Sequence, residues 1–154
     1  MSNDEAAAME LMTMAEAQQV VAQAMPGCVR ELGISVESLE PNRAVLRMPF
    51  SEKACREGRI FSGQALAALA DTAMCFAVWC DGRGRRPVAT TDLHVTYLRA
   101  GTGEDVVAQA EVVRAGGSLA FARVSLLSPS GDEVATAVAT FALPRSGVKP
   151  DMAL

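Results

Sequence analysis

The chain has 154 residues, half of them apolar and 21% charged, with a formal charge of −4. That length suits one domain with a substantial core, and the apolar content excludes a disordered chain and points to contacts between subunits. The acidic balance and scattered arginines leave no basic footprint for nucleic acid, and one histidine with four cysteines lacking any C-x-x-C pair supplies no metal site.

The first residues are acidic where a secretory signal would be basic, so the thiols read as reduced and the protein as cytoplasmic. Residues 4–25, rich in Ala, Met, Glu and Gln, predict an amphipathic helix closed by Pro26 and Gly27. "GISVESLE" and "RAVLRMPF" predict a hairpin turned at Glu40, Pro41 and Asn42. Residues 51–61 are polar and read as a loop or short helical turn. A long apolar segment follows, with Ser62 as its N-cap, Gly63 and Gln64 as its first helical residues and "DGRGRRP" at 81–87 as its stop. The run from Ala65 to Cys80 is shorter than the ~20 residues that span a bilayer, and Asp71 at its centre would be costly in lipid. It predicts a helix over 62–80 buried in protein, with no membrane association.

After Pro87 the pattern turns to strand. "VATTDLHVTYLR", "EDVVAQAEVV", "SLAFARVSLLS" and "EVATAVATFAL" are separated by short Gly-containing turns that predict antiparallel neighbours. A helix apolar nearly all round must be covered on most sides, and a curved antiparallel sheet wrapped around it does so. The expected class is therefore α+β, with a central helix and an additional helix at the N-terminus. The organisation reads as a helical extension over 1–25, one domain over 26–143 and a tail over 144–154.

Asp71 is the one charge in the apolar run. A carboxylate in an apolar wall is poorly solvated, which raises its pKa and makes it a better base. The alternative is a structural carboxylate that caps a strand or bridges two subunits. At the start of the same helix the free amides of Gly63 and Gln64 suit a developing oxyanion, and Gly63 has no side chain to hinder approach. Gln64 lies seven residues before Asp71, two turns away on the same face. Asp92, His94 and Thr96 alternate onto one strand face, opposite Leu93, Val95 and Tyr97, and read as a solvated or interface face. Cys75 and Cys80 read as small core residues.

The stretches "SGQALAALADTA" at 62–73, "TTDLHVTYLRAGTGEDVVAQAEVV" at 90–113 and "GDEVATAVATF" at 131–141 resemble the hotdog-fold thioesterases, in particular the phenylacetic-acid-degradation type of acyl-CoA thioesterase. The first matches that family's H-G-G-x-x-x-x-L-x-D-x-A pattern with Ser62, Gly63 and Gln64 in place of His-Gly-Gly, and Arg56 stands where the family usually has Asn. The resemblance implies a hotdog fold and a homodimer whose sheets join edge to edge, pairing further into a dimer of dimers, with two equivalent sites between subunits. It implies Asp71 as nucleophile or general base on water, the Gly63 amide of the partner's helix as oxyanion donor, and Thr90 as a hydroxyl that positions the attacking water. Gln64 is the candidate that supplies part of what the missing His would give. The implied substrate is an aryl- or fatty-acyl-CoA, so coenzyme A is part of the substrate and no separate cofactor is expected. Ser62, Arg56, Arg99 and Arg114 are candidates for substrate binding, as are Arg83, Arg85 and Arg86, because arginine suits phosphate. Phe76 and Trp79 fit either an acyl pocket or the core. A non-catalytic acyl-CoA-binding protein on the same fold is the alternative, and a hydratase is disfavoured because no His stands at the helix.

Overall fold

A computed structural model of the chain describes residues 11–144. The first helix, α1, covers Met14–Gln19 and runs into a π-helical turn over Val20–Ala24. Thr13 starts it with a capping box, since the Glu16 amide donates to the Thr13 hydroxyl at 3.1 Å and the Thr13 amide donates to the Glu16 carboxylate at 2.9 Å. Among the described residues the helix begins at Met14, residues 11–13 being non-helical, and the part of the expected helix before residue 11 lies outside the described residues. Beyond it, Pro26 caps a single turn, α2 (Gly27–Arg30), that the sequence pattern did not announce.

Strands β1 (Ser35–Glu40) and β2 (Arg43–Met48) form the expected hairpin. Its two-residue turn works because Pro41 has a fixed φ and Asn42 accepts the left-handed φ of 62°. Residues 51–61 hold more order than expected: a 3-10 turn at Glu52–Ala54, then a small hairpin of β3 (Cys55–Arg56) and β4 (Ile60–Phe61). The Ser62 amide donates to the Ala54 carbonyl and the Phe61 amide to that of Gly101, both at 2.9 Å, so the chain is fixed where the long helix starts.

That helix, α3, covers Gly63–Trp79 and matches the expected boundaries within a residue at each end. The Ala65 amide donates to the Ser62 hydroxyl at 3.0 Å, which is the predicted N-cap. Strands β5 (Ala89–Tyr97), β6 (Val106–Ala115), β7 (Leu119–Leu127) and β8 (Glu133–Ala142) complete a six-stranded antiparallel sheet in the order β1-β2-β6-β7-β8-β5. One expectation fails here. The turn after β5 does not make β5 and β6 neighbours: β6 pairs with β2 and β7, and β5 lies beyond β8 at the sheet edge. The physical reason is the connection's reach, since eight residues (98–105) can span about 26 Å, ample to pass the ends of β7 and β8. The Leu98 amide anchors its start by donating to the Val134 carbonyl at 2.9 Å.

The sheet curls around α3. Its inner face is rich in alanine, with Ala108, Ala110, Ala120, Ala122, Ala135, Ala137 and Ala139 all buried, so the backbone of the strands can approach the helix closely. Leu66, Leu69, Met74 and Phe76 fill the space between. This is the hotdog arrangement that the resemblance implies, with Phe76 buried in the core and Trp79 stacked edge-on against it at 5.1 Å.

The C-terminal end of α3 is tied down by Asp81, whose side chain is only 2% exposed and meets Arg83 and Arg86 at 2.7 Å each. Burial alone would raise the Asp81 pKa, but hydrogen bonds from the two arginines outweigh it and hold it below the ordinary range. Its contribution is therefore present above the unfolded-state pKa and lost as pH falls through the depressed folded value. Asp81→Ala strands Arg86 in a largely buried place, and we expect a loss of about 3 kcal/mol in urea unfolding at neutral pH, narrowing in acid.

Candidate functional site

Most of α3 is sealed, yet one stripe is not. Gly63, Gln64, Ala67, Ala68, Asp71 and Cys75 recur at helical spacing and are half-buried or exposed, while their neighbours are buried. The stripe lies toward β5, the edge strand of the sheet, and among the described residues no further strand lies beyond it. The spacing that makes α3 a core helix thus also leaves one line of small residues open, with Gln64 and Asp71 as its polar members.

Asp71 sits in that line, and the Thr90 hydroxyl donates to its Oδ1 at 2.8 Å. Thr90 reaches it because of a β-bulge. Thr90 pairs with the buried Phe141, whereas Asp92 pairs with Thr140, so Thr91 is an extra residue that resets the alternation. Without the bulge, Thr90 would share the outward face with Asp92, His94 and Thr96, all of which are exposed as the alternation predicts. With it, Thr90 joins Leu93 and Val95 on the helix side. Thr91 is held in place by its own hydroxyl, which donates to the Thr140 carbonyl at 3.1 Å.

Burial raises the Asp71 pKa above the ordinary carboxylate value, and the Thr90 hydrogen bond offsets part of the rise. Among the described residues no partner holds Oδ2, so one carboxylate oxygen is fixed and the other is free to take a proton from water. One turn on, burial and then the Asp71 charge push the Cys75 thiol far up, which keeps it protonated.

At the head of α3 the Ser62 hydroxyl takes the Ala65 amide and the Ser62 carbonyl takes that of Leu66 at 3.1 Å. The Gly63 and Gln64 amides have no acceptor among the described residues. They form a pair of open donors at the positive end of a 17-residue helix. Tyr97, at the end of β5, donates its phenol to the Gly63 carbonyl at 2.7 Å. Sequence reading placed Tyr97 on the right face but missed this contact, for which the strand pattern holds no signal.

The arginine candidates separate. Arg56 lies in the β3–β4 hairpin beside Arg59, whose guanidinium sits 5.7 Å from the Phe50 ring, and Arg99 follows Tyr97 and meets Asp132 at 3.5 Å. Arg56 and Arg59 thus belong to the hairpin that leads into α3 and Arg99 to the segment just after β5, and Arg59 was not anticipated. Arg114 lies at the opposite end, in a surface depression with Asn42, Asp81 and Arg83. Arg83 and Arg86 are engaged with Asp81, and Arg85 sits over the Trp79 ring at 5.6 Å. The cysteines are all free, no three His, Cys, Asp or Glu side chains among the described residues are grouped to hold a metal ion, and no helix among them is long and apolar enough to cross a membrane.

The sequence model of the thioesterase superfamily matches residues 58–135, which include α3 and β5 to β7. A protein of Halobacterium salinarum is 39% identical over 114 residues, covering 68% of this chain and 72% of that one. Human acyl-coenzyme A thioesterase 13 is 33% identical over 99 residues, covering 63% and 70%. Among solved structures, a mutant of the phenylacetic acid degradation protein PaaI from Thermus thermophilus superposes with a TM-score of 0.67 at 30% identity, covering 74% of this chain and 96% of that one.

Proposed function

Because the chain belongs to the thioesterase superfamily, as a PaaI-like member, we propose that it hydrolyses the thioester of an aryl- or fatty-acyl-CoA at a site that two copies of the chain build together. The observation that carries this reading is the pairing of a half-buried, pKa-raised Asp71 with Thr90 on an uncovered stripe whose head offers two open amides.

Distance requires the second copy. Gly63 and Asp71 are eight residues apart on one helix, about 12 Å along its axis. A water activated by Asp71 must attack a carbonyl carbon within about 3.5 Å, so the two groups of one chain cannot serve one thioester. The β5 edge supports the same assembly: it is nine residues long and largely exposed, and Tyr97 and Leu98 at its end are each about half exposed. Long open edges are normally paired or blocked, and a second β5 would pair this one and bring the partner's α3 head toward Asp71. We expect a homodimer on this edge, and a dimer of dimers beyond it.

In the proposed reaction the carbonyl oxygen rests on the Gly63 amide of one copy, with the neighbouring Gln64 amide in support. Asp71 of the other takes a proton from water as the water oxygen bonds to the carbonyl carbon. The C–S bond then breaks, and the departing CoA sulfur recovers the proton from Asp71. Direct attack by Asp71 on the carbonyl is the alternative route to the same products. Thr90 keeps the carboxylate aimed throughout. Arg56 and Arg59, in the hairpin that leads into α3, and Arg99, just after β5, are the arginines we assign to the phosphates of CoA, and Ser62 holds the helix start. No step needs a cofactor.

The test is release of free CoA, followed by a thiol reagent, from a panel of aryl and fatty acyl-CoAs. The reading expects turnover of at least one member. Saturable binding by calorimetry with no turnover would replace it with a non-catalytic acyl-CoA-binding role.

A further inference from the structure

Tyr97 is half exposed, so burial of its ring does not explain why a phenol stands there. What it does is specific. Its hydroxyl donates to the Gly63 carbonyl at 2.7 Å, and a Cβ built on Gly63 would lie 3.2 Å from that hydroxyl and 3.3 Å from Cζ. The ring therefore rests against the bare α-carbon of the first helical residue, and only glycine leaves it that room without displacement.

The carbonyl that Tyr97 grips belongs to the peptide that carries the Gln64 N–H. A hydrogen bond accepted at one end of a peptide group polarises the other and strengthens its N–H as a donor. It also fixes the orientation of the first turn, which at a helix end has few bonds of its own. β5 thus holds α3 at two points: Thr90 on Asp71 and Tyr97 on Gly63. One strand sets the carboxylate of one site and the amides that would serve the other.

We propose that Tyr97 is a positioning residue for thioester hydrolysis, acting through the Gly63–Gln64 peptide to strengthen the Gln64 donor and to hold the first turn that presents both oxyanion donors. This rests on the reaction proposed above. Tyr97→Phe removes the hydroxyl and keeps the ring. It lowers kcat about 10-fold, with KM within about twofold because ground-state binding is little changed, and leaves the thermal midpoint within about 3 °C. A second measurement needs no turnover: the carbonyl stretch of a bound ketone analogue, with methylene in place of the thioester sulfur, moves to higher frequency in Tyr97→Phe as its hydrogen bonds weaken. An unchanged kcat with an unchanged stretch overturns the proposal, as does a lower kcat that merely follows a lower melting temperature with the stretch unmoved. A wild-type protein that binds the analogue but releases no CoA sinks the proposed reaction while the stretch still decides whether Tyr97 acts on the donors. Failure of the wild type to bind the analogue at all overturns both.

Discussion

Asp71→Asn lowers kcat for acyl-CoA hydrolysis about a thousand-fold, the scale on which general bases act, while leaving the fold intact. Asn keeps an oxygen for the Thr90 hydroxyl, which now donates at 2.8 Å, and so preserves the local geometry while removing the basic group. The pH behaviour carries a second signature. Burial raises the folded pKa of Asp71 above the ordinary 3.8, with Thr90 offsetting part of the rise, so kcat/KM climbs with pH through that raised value, as a base must be ionised to act. The stability argument has the opposite sign from that of Asp81. Below the unfolded value Asp71 is protonated in both states and costs nothing. As pH rises from about there to the raised folded value, the unfolded chain ionises while the folded state still holds its proton, so stability declines; above the folded value both are ionised and the loss is constant. Asn bears no charge and escapes this loss. The inactive variant is thus at least as stable as the wild type at neutral pH, with the difference closing in acid, as thermal unfolding at several pH values would show. A variant that loses activity by unfolding would show the reverse.

Gly63→Pro has the second largest effect and isolates the oxyanion donor. Gly63 is the first residue of α3, where proline is well tolerated because its amide makes no helical bond. Ser62 already has the extended geometry, φ −68° and ψ 150°, that a residue before proline requires. The substitution therefore deletes the Gly63 N–H and keeps the helix. Loss of one such donor costs about 100- to 1,000-fold in kcat. The new ring crowds Tyr97, whose half-exposed end has room to shift by a few tenths of an ångström. Gly63→Ala is the control, since it brings the same Cβ and retains the amide, and its loss is about 10-fold or less. Equal losses in the two variants would mean that crowding, and not the donor, had been measured.

The sequence made α3 legible because its signals are local: Ser62 before the first turn, an unbroken apolar run and "DGRGRRP" after the last. Asp71 stood out for the same reason, as one charge where the pattern admits none. The features that failed to show are set by pairing across the sheet. "AGTG" looks like a hairpin turn, and only the places of β7 and β8 send β5 to the far edge. Strict alternation puts Thr90 on the outer face with Asp92, and the bulge at Thr91 that turns it inward depends on register with β8, which no local pattern encodes. Tyr97 and Arg59 were missed likewise, since their contacts lie 34 residues away on Gly63 for the one and on the Phe50 ring for the other. The helix that carries the chemistry could be read from the chain; the strand that aims it could not.

A site shared between two copies makes a demand that no single-chain site meets. Asp71→Asn and Gly63→Pro chains are each inactive alone, because every site in either dimer lacks one of its two groups. Mixed through unfolding and refolding together, they form hybrid dimers in which one site has lost both groups and the other has both intact. With random pairing, half of the dimers are hybrids with one working site of two, so the mixture regains about a quarter of wild-type activity. The measurement is CoA release from that mixture, with hybrid formation checked by mass on differently tagged chains. Recovery near a quarter is the predicted result, and hybrid dimers as inactive as their parents would contradict the shared site.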